Sequence, residues 1–334
     1  MVRVIKHAPL VSVIILNYNG RQCLERCLSS VMKLKYPNLE VLFVDNASTD
    51  GSVRVVERKF PSVQIIQNHT NLGYTGGMNT GIRHAQGELF ALLCMDTEVH
   101  PEWLSELAKV AQKNSDIGAC FGKFYGYNDK KRFAGANRLF RINRNTRFQD
   151  VVQEASTAPG SAWLVKRSVI KVVGLFDDKY FMYFDEVDLC WRMRIAGYRI
   201  IYVPDAIAYH RSGSQMQSEY RTYLDTRNWI RSILKNCSIE TLLLYQFFIP
   251  LKFFLALLNC FSLKKNKRAN GRIRLLQYLR ACIWNARFLR DTIRKRKTIR
   301  RLRKISDRKL HLFNFVLSNP YITINRSLLS QIGR

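Results

Sequence analysis

Five carboxylates crowd into one short stretch of a chain that is otherwise strongly basic. The formal net charge is +29, yet five of the 25 acidic residues fall within the segment 177–188. They are Asp177, Asp178, Asp185, Glu186 and Asp188. Carboxylates that pack together repel one another and raise their pKa values, so such a cluster is typical of a site that binds a cation or accepts a proton. The alternative is a solvated acidic loop that caps the helix predicted at about 186–196.

Other polar side chains that could take part in binding or catalysis follow predicted buried strands. The β-branched apolar runs at 11–16 and 41–44 are typical of buried strands, and they are followed by Asn17 and Asp45. Apolar residues at helical spacing separate the runs, so the pattern predicts right-handed crossovers and a parallel sheet. A third short strand is predicted at 63–66, and Asn68 follows it. Ligands of such sheets bind beyond the carboxyl ends of the strands, which is where Asn17, Asp45 and Asn68 lie.

Two further candidate site residues follow later strands. Asp96 comes shortly after the buried run at 89–93, and His210 ends a strand-like run and precedes a Gly/Ser loop. A lone Asp after a strand usually forms a turn, and a lone His is usually structural. At the end of a buried strand of a parallel sheet, however, Asp96 is a site candidate. A His at a strand end before a Gly/Ser loop is a ligand candidate.

A glycine-rich stretch at 71–81 leads into a predicted helix. Its four glycines would let backbone N–H groups approach an anion closely at the helix N-terminus. A flexible loop is the alternative, because no Gly-Lys-Ser/Thr of a nucleotide-phosphate loop follows.

Length and composition indicate a globular protein. The 334 residues include 47% hydrophobic residues, enough for one large core or two smaller ones, which excludes a disordered chain. The eight cysteines form no CxxC pair, so we expect reduced core residues of a cytoplasmic protein. The apolar run at 10–16 is short for a leader peptide and has no cleavage site after it, so we interpret it as a strand.

The excess positive charge is concentrated near the C-terminus. Residues 262–309 contain 19 Lys and Arg and 2 acidic residues, which accounts for +17 of the +29. The preceding apolar stretch, 242–261, could just span a bilayer, but the basic segment would then lie outside the cell. We therefore expect 242–261 to lie in the cytoplasmic interface and 241–309 to contact an anionic membrane surface. A buried helix packed on the rest of the protein is the alternative.

Six sequence blocks occur in order and at characteristic spacing. They are VSVIILNYNG, VDNASTDGS, NLGYTGGMNTGI, LLCMDTE, FMYFDEVDLCWR and YVPDAIAYHRSGS, and they cover residues 11–214. Together they resemble the family 2 glycosyltransferases, which are inverting nucleotide-sugar enzymes with the GT-A fold. Within that family the chain is most similar to the rhamnosyltransferase-like branch that builds cell-surface polysaccharide. The later stretch RNWIRSILKN resembles this branch more loosely.

The resemblance implies the architecture. We expect an α/β protein of the GT-A fold, with a Rossmann-like, mostly parallel central sheet flanked by helices and a helical, basic C-terminal extension. The expected catalytic domain is 1–236, with the nucleotide-sugar part at about 8–120 and the acceptor part at about 121–236. Residues 237–334 form the expected membrane-associating region.

The resemblance also assigns the nucleotide-sugar contacts. Asn17 and Asn19 would lie at the first nucleotide-binding strand end, and Asp45 would accept a hydrogen bond from the ring N–H of uracil or thymine. Asn79 and the glycines would lie along the ribose and the sugar. The full expected set is Asn17, Asn19, Asp45, Asn46, Gly73, Gly76, Gly77, Asn79 and Asp96.

A divalent metal ion, Mn²⁺ or Mg²⁺, is the expected cofactor. Asp96 matches the last Asp of the family's Asp-x-Asp motif, and Cys94 stands at the first position. Asp96 and His210 would hold the ion where it bridges the diphosphate. Such ions take few protein ligands when phosphates complete their coordination shell.

The resemblance places the catalytic base in the acidic run. The family's Glu-Asp pair reads Asp185-Glu186 here, so Glu186 is the expected base and Asp185 the reserve. The base would take a proton from the acceptor hydroxyl while that oxygen attacks the anomeric carbon. Neighbouring carboxylates would raise its pKa toward neutrality. Asp188 is a third catalytic candidate, and a structural role beside Arg192 is its alternative.

The expected reaction moves a sugar from a UDP- or dTDP-sugar to a hydroxyl of a lipid-linked or polysaccharide acceptor at the inner face of the cell membrane. The first expected donor is dTDP-L-rhamnose, and UDP-GlcNAc and UDP-galactose are alternatives. The polar, irregular segment 121–154 is interpreted as a long surface loop or hairpin that selects the sugar.

Two other classes of protein compete with this interpretation. Net charge alone favours a nucleic-acid-binding protein, but the excess basic residues lie beside an apolar stretch and no nucleic-acid motif occurs. We therefore expect no nucleic acid as a partner. Cys94 and the reversed Asp185-Glu186 order would also fit a protein that binds a nucleotide sugar without transferring it.

Overall fold

A nine-stranded sheet forms the centre of the fold. The computed structural model describes residues 8–126, 150–211, 218–245 and 265–310, together with residues 254 and 257. The strands are β1 (Val11–Asn17), β2 (Leu39–Asp45), β3 (Gln64–Gln67), β4 (Leu89–Cys94), β5 (Thr97–Val99), β6 (Ile117–Gly126), β7 (Gln153–Ala155), β8 (Ala162–Lys166) and β9 (Arg199–His210). Their order is β3-β2-β1-β4-β8-β6-β9-β5, and β7 pairs with β9.

The first four strands form the parallel half of the sheet, as the sequence predicts. All seven residues of β1 are buried, which suits an apolar run without polar alternation. The register pairs Asn17 with Asp45 and Leu16 with Cys94, so the carboxyl ends of β1, β2 and β4 lie side by side. The strand order reverses between β1 and β4, and ligands of open α/β sheets bind at such a point.

The other half of the sheet is mixed and departs from expectation at β9. The apolar patterns at 198–203 and 206–209 each indicate a separate strand, but the structure has one continuous strand, Arg199–His210. Pro204 falls within a shift of the β6–β9 pairing that occurs just after Gly122. A Cβ at Gly122 would lie 1.7 Å from the Ala206 carbonyl oxygen, so only glycine admits this close approach.

The segment expected to be a loop, 121–154, begins and ends in strands. β6 continues to Gly126 and buries Phe121 and Phe124, and Glu154 lies in β7. The intervening residues 127–149 lie outside the described part of the chain.

Ten helices complete the described fold. They are α1 (Arg21–Val31), α2 (Ser52–Lys59), α3 (Gly73–His84), α4 (Trp103–Ala111), α5 (Arg167–Val173), α6 (Asp185–Ile195), α7 (Ser218–Asn236), α8 (Ile239–Tyr245), α9 (Lys265–Arg287) and α10 (Leu289–Leu302). A short 3₁₀ helix, Asp178–Tyr180, precedes α6. Seven cysteines in these regions are free thiols, in line with the expected reduced state, and Cys260 lies outside the described residues.

A second hydrophobic core joins the expected catalytic domain to the C-terminal helices. Val187 and Trp191 of α6 and Trp229 of α7 pack in one cluster with Tyr278 of α9 and Ile299 of α10. The expected domain boundary at residue 236 stays a prediction, and residues on both sides of it share this core. The described C-terminal helices cover α7 rather than forming a detached arm.

The apolar stretch 242–261 lies mostly outside the described residues, so its expected place in the membrane interface stays a prediction. Within the described part of the chain, no helix is both long enough and apolar enough to cross a bilayer. Part of the basic segment bonds inward. Lys295 pairs with Asp177, Arg296 donates to the Leu234 carbonyl at 2.9 Å, and Arg303 donates to the Asn236 carbonyl.

Candidate active site

The ends of β1 and β2 form a rigid polar corner. The fully buried Asn17 amide nitrogen donates to Asp45 Oδ1 at 2.9 Å, Ser48 Oγ at 3.0 Å and Ser52 Oγ at 2.9 Å. The second Asp45 oxygen accepts the Ser48 N–H at 2.9 Å. Asn17 thus orients Asp45 and the following loop. Sequence reasoning missed the two serines, whose signal is their spacing in the block VDNASTDGS.

Asn19 is exposed and stabilises the same loop through hydrogen bonds. Its side-chain oxygen accepts the Thr49 N–H at 2.9 Å, and its own N–H donates to Ser48 Oγ at 2.9 Å. Its φ of 50° lies in the left-handed region, which Asn tolerates better than most residues. Asn17, Asn19 and Asp45 are therefore brought together at one strand end.

The glycine-rich stretch is a helix rather than an open anion-binding loop. α3 begins at Gly73, so Gly76 and Gly77 lie inside it. A Cβ at Gly77 would lie 2.3 Å from a Leu16 methyl carbon, and one at Gly76 would lie 2.5 Å from the Leu72 side chain. These two glycines therefore serve close packing. Glycine permits close approach of an anion and of a neighbouring side chain alike, so sequence alone could not distinguish the two uses.

Asn46 and Asn79 make bonds that hold α3 in place. The Asn46 amide donates to the Gly73 carbonyl at 2.8 Å and accepts from Asn68 at 2.8 Å. Asn79 bonds twice to the backbone of Phe176. Its amide nitrogen donates to the Phe176 carbonyl and its amide oxygen accepts the Phe176 N–H, both at 3.0 Å. Both asparagines are buried, and these bonds are structural. The expected contact of Asn79 with ribose and sugar, and that of Asn46 with the nucleotide sugar, stay predictions.

Asp96 and His210 meet across the β5–β9 pair. Thr97 lies opposite His210 in this antiparallel ladder, and His210 Nε2 lies 3.4 Å from Asp96 Oδ2. The other Asp96 oxygen is buried and has no hydrogen-bond partner among the described residues. No group of three potential metal ligands occurs in the described ranges. Two ligands with one unsatisfied oxygen nevertheless fit a divalent ion whose other ligands come from phosphates.

Asp185 and Glu186 occupy the first turn of α6. Burial, reinforced by the Glu186 charge, raises the pKa of Asp185 well above its usual value. Burial and the Asp225 charge raise the pKa of the half-buried Glu186 from 4.5 to about 7, although backbone N–H groups at the helix start oppose the shift. A carboxyl group with this pKa can accept a proton at neutral pH, as a general base must.

Cys94 and Glu186 both lie close to Gly160, near the end of β4. Cys94 is the last residue of β4 and its Sγ is 4.0 Å from the Gly160 carbonyl oxygen, and a Cβ at Gly160 would lie 3.8 Å from the Glu186 Cβ. Burial raises the pKa of the Cys94 thiol well above its usual value, and the charges of Asp96, Asp185 and Glu186 raise it further. The candidate site therefore lies at the point where the strand order reverses.

Asp188 does not share this environment. It is fully buried, with Oδ2 3.0 Å from Arg192 Nε and Oδ1 2.8 Å from both Lys235 Nζ and Asn236 Nδ2. Burial favours the neutral form, but the charges of Lys235 and Arg192 outweigh it and lower the pKa of Asp188. This geometry corrects the placement of Asp188 among catalytic candidates and supports its structural alternative.

Asp177 is held in the same way at the other end of the run. Arg231 Nε lies 2.9 Å and Lys235 Nζ 2.7 Å from Asp177 Oδ2, and Lys295 of α10 pairs with Oδ1. Burial opposes the charged form of Asp177, but these cations keep its pKa far below the usual value. Burial also lowers the pKa of Lys235, yet two carboxylates within 2.8 Å keep it charged.

The comparisons with known proteins agree with this geometry. The profile of Glycosyl transferase family 2 matches residues 12–174. These residues, about half of the chain, thus carry the sequence pattern of glycosyl transferase family 2. The chain has the GT-A fold, so the resemblance drawn from the sequence is confirmed.

Two curated relatives illustrate the range of similarity. An uncharacterized glycosyltransferase of Haemophilus influenzae is 31% identical over 117 residues, which cover 34% of this chain and 36% of the relative. The chain thus spans about a third of that relative's length. The N-acetylglucosaminyl-diphospho-decaprenol L-rhamnosyltransferase of Mycobacterium tuberculosis is 27% identical over 239 residues, 61% of this chain and 77% of the relative.

Two solved structures share the fold. The mannosyltransferase PcManGT from Pyrobaculum calidifontis, in complex with GDP-Man and Mn²⁺, aligns with a TM-score of 0.53 and 17% identity, covering 94% of this chain and 86% of that chain. TarS 1–349 of S. aureus, in complex with UDP-GlcNAc, aligns with a TM-score of 0.54 and 20% identity, covering 96% and 92% respectively.

Neutralising Asp185 and neutralising Asp188 should have opposite effects on stability at pH 7. The raised pKa of Asp185 means that its charge costs stability, a cost absent below about pH 4 and growing as the pH rises. Asp185→Asn should therefore stabilise the fold by on the order of 1–3 kcal/mol at pH 7 and little at pH 4. The lowered pKa of Asp188 means that its charge contributes stability above about pH 4. Asp188→Asn should cost about 3–5 kcal/mol at pH 7, because it leaves Lys235 without one partner.

Urea unfolding of both variants and the wild type between pH 4 and pH 8 measures these differences. Asp178→Asn is the matched control, because Asp178 lies in the same run and is exposed. Destabilisation by Asp185→Asn at pH 7, or a neutral effect of Asp188→Asn, would contradict this division of the acidic run.

Proposed function

We propose that this protein is a metal-dependent, inverting glycosyltransferase that moves a sugar from a UDP- or dTDP-sugar to a hydroxyl group of a lipid-linked or polysaccharide acceptor. The observation that carries the proposal is that two kinds of group lie close to the end of β4. Asp96, which comes shortly after Cys94, lies 3.4 Å from His210, and the two fit a metal ion. Glu186, whose pKa burial raises to about 7, can act as a base and lies near Gly160, whose carbonyl oxygen is 4.0 Å from Cys94 Sγ.

The chain's own residues account for the chemistry of transfer. Glu186 takes the proton of the acceptor hydroxyl while that oxygen attacks the anomeric carbon and the bond to the nucleoside diphosphate breaks. Attack opposite the leaving group inverts the configuration at that carbon. The raised pKa of Asp185 disfavours a second negative charge beside the base. Asp96 and His210 would hold the divalent ion, which when bound would stabilise the negative charge of the departing diphosphate.

A pyrimidine donor is supported by the corner around Asp45. This buried carboxylate is fixed by Asn17 and can still accept a hydrogen bond through its remaining lone pairs, which suits the ring N–H of uracil or thymine. The name of the Mycobacterium relative supports dTDP-L-rhamnose as the first donor to test. The TarS complex supports UDP-GlcNAc as the alternative.

A lipid-linked acceptor and a membrane-surface partner are supported by the outer face of α9. Leu276, Leu279 and Ile283 recur at helical spacing and are 55%, 43% and 69% exposed. They lie opposite the face that buries Tyr278 and Ala281 against the second core. The exposed arginines Arg272, Arg280 and Arg287 accompany this apolar row. An apolar row among arginines fits the interface of an anionic bilayer, here the inner face of the cell membrane.

Glu186→Gln and Asp96→Asn should impair different steps of the reaction. Glu186→Gln keeps the size of the side chain but cannot accept a proton, so transfer should fall by about 10²–10⁴-fold while donor affinity stays within about twofold. Asp96→Asn should instead remove the effect of Mn²⁺ on nucleotide binding. Calorimetry of UDP- and dTDP-sugars with Mn²⁺ or EDTA measures binding, and single-turnover assays with saturating acceptor measure transfer.

Asp178→Asn is the control for both assays, since Asp178 is exposed and carries the same charge. Near-normal transfer by Glu186→Gln would remove the base assignment, and Asp185→Asn would then be the variant to show the loss. Equal metal dependence in the wild type and Asp96→Asn would remove the metal assignment.

Charge placed in the α9 row should release the protein from anionic membranes. Burial of one apolar side chain contributes about 1.5–3 kcal/mol, so Leu279→Glu with Ile283→Glu should weaken vesicle binding at least about tenfold. Co-sedimentation with vesicles rich in phosphatidylglycerol measures this, and pure phosphatidylcholine vesicles test the role of charge. Val172→Glu on α5, where Val172 is 45% exposed, is the matched control. Equal binding of the variant and the wild type, or equal binding to both lipids, would exclude the α9 row as a binding surface for anionic membranes.

A further inference from the structure

The turn that precedes the acidic pair has an unusual backbone. Phe181, Tyr183 and Phe184 have φ values of 65°, 69° and 59°, in the left-handed region that bulky residues rarely adopt. Phe184 is the residue directly before α6, so its conformation sets the direction in which the first turn of that helix leaves. A turn with this backbone persists only where its surroundings hold it.

One side chain of α7 supplies most of the holding bonds. The amide nitrogen of Asn228 lies 3.1 Å from the Tyr180 carbonyl oxygen and 2.8 Å from those of Met182 and Tyr183. Asn228 is fully buried, and its side-chain oxygen accepts from Arg227 Nε at 2.9 Å, which fixes the NH₂ group toward the turn. Three carbonyl oxygens of one turn thus converge on a single donor group.

α3 confines the turn from the other side. The Thr75 N–H donates to the Phe181 carbonyl at 3.2 Å. A Cβ on Gly73 would lie 2.3 Å from the same carbonyl oxygen, and Gly73 has a φ of 68°. The turn is therefore clamped between Gly73 and Thr75 on one side and Asn228 on the other.

We propose that Asn228 is a positioning residue for Glu186. It holds the 180–184 turn in its left-handed form, and this form directs the first turn of α6 so that the Glu186 carboxylate reaches the acceptor hydroxyl. The inference rests on the base role proposed for Glu186. It assigns a task in the reaction to a side chain whose nearest neighbours are backbone carbonyls and not substrate atoms.

Asn228→Asp tests the proposal with the smallest change of shape. The carboxylate would face three carbonyl oxygens and repel them, so the turn should relax. We expect kcat to fall by about 10²-fold, the loss that a misplacement of about 1 Å produces, with donor affinity unchanged. The pKa of Glu186, about 7 in the wild type, should move toward 4.5 as water enters, which ¹³C NMR titration of labelled glutamate follows without substrate.

Asn285→Ala is the matched control for a purely structural effect. Asn285 of α9 is also a buried amide, and it donates to the carbonyls of Arg227 and Ala281 at 3.0 and 2.9 Å without touching the turn. This variant should lose thermal stability but keep its kcat and the Glu186 titration. If Asn228→Asp behaves in the same way, the positioning role is excluded.

Gly73→Ala gives a second test that does not alter α7 and applies if Asn228→Asp does not fold. Its new methyl group would push the Phe181 carbonyl, so it should lower kcat and shift the Glu186 titration as Asn228→Asp does. A normal titration in Gly73→Ala would overturn the inference. Failure of the proposed function looks different, because Glu186→Gln would then transfer sugar normally whatever Asn228 does.

Discussion

Two buried carboxylates, Asp177 and Asp188, bind the acidic run to α7. Lys235 bonds both, at 2.7 and 2.8 Å, and Arg231 of the same helix pairs with Asp177. Taking such charges out of water costs several kcal/mol per ion, so each is stable inside only when its partners are in place. The run therefore depends on α7, which is itself covered by α9 and α10. The basic C-terminal helices are part of the framework of the site.

The same twelve-residue stretch contains carboxylates with opposite properties. Asp177 and Asp188 face cations, so their pKa values are lowered and they stay charged. Burial raises the pKa values of Asp185 and Glu186, and a negative neighbour adds to each shift, Glu186 for Asp185 and Asp225 for Glu186. The first pair holds the backbone, and the second pair is available for proton transfer. Structural carboxylates at both ends of the run thus allow a base of near-neutral pKa between them.

The sequence predicted those features of the fold that depend on the local pattern of residues. Buried strands and their polar ends were located from apolar runs, and the antiparallel β5–β9 pair does bring Asp96 and His210 together. The sequence did not predict contacts between residues that lie far apart in the chain. The partner Lys235 of Asp188 could not be recognised from the sequence. It lies far along the chain on another helix, and it is one of many basic residues. The carbonyl-binding role of Asn228 has no local signal either, since a buried amide looks like any other polar residue in a helix.

Hydrogen exchange in the 183–188 segment is the most direct measurement of the central claim that α7 and its buried charges hold the turn carrying the acidic pair. Mass spectrometry would compare the wild type with Asp177→Asn, which weakens the pairing with Arg231 and Lys235. The account predicts protected amides in the wild type and faster exchange at 183–188 in the variant, while β1 and β2 keep their protection. Unprotected amides at 183–188 in the wild type, or unchanged exchange there in the variant, would contradict it.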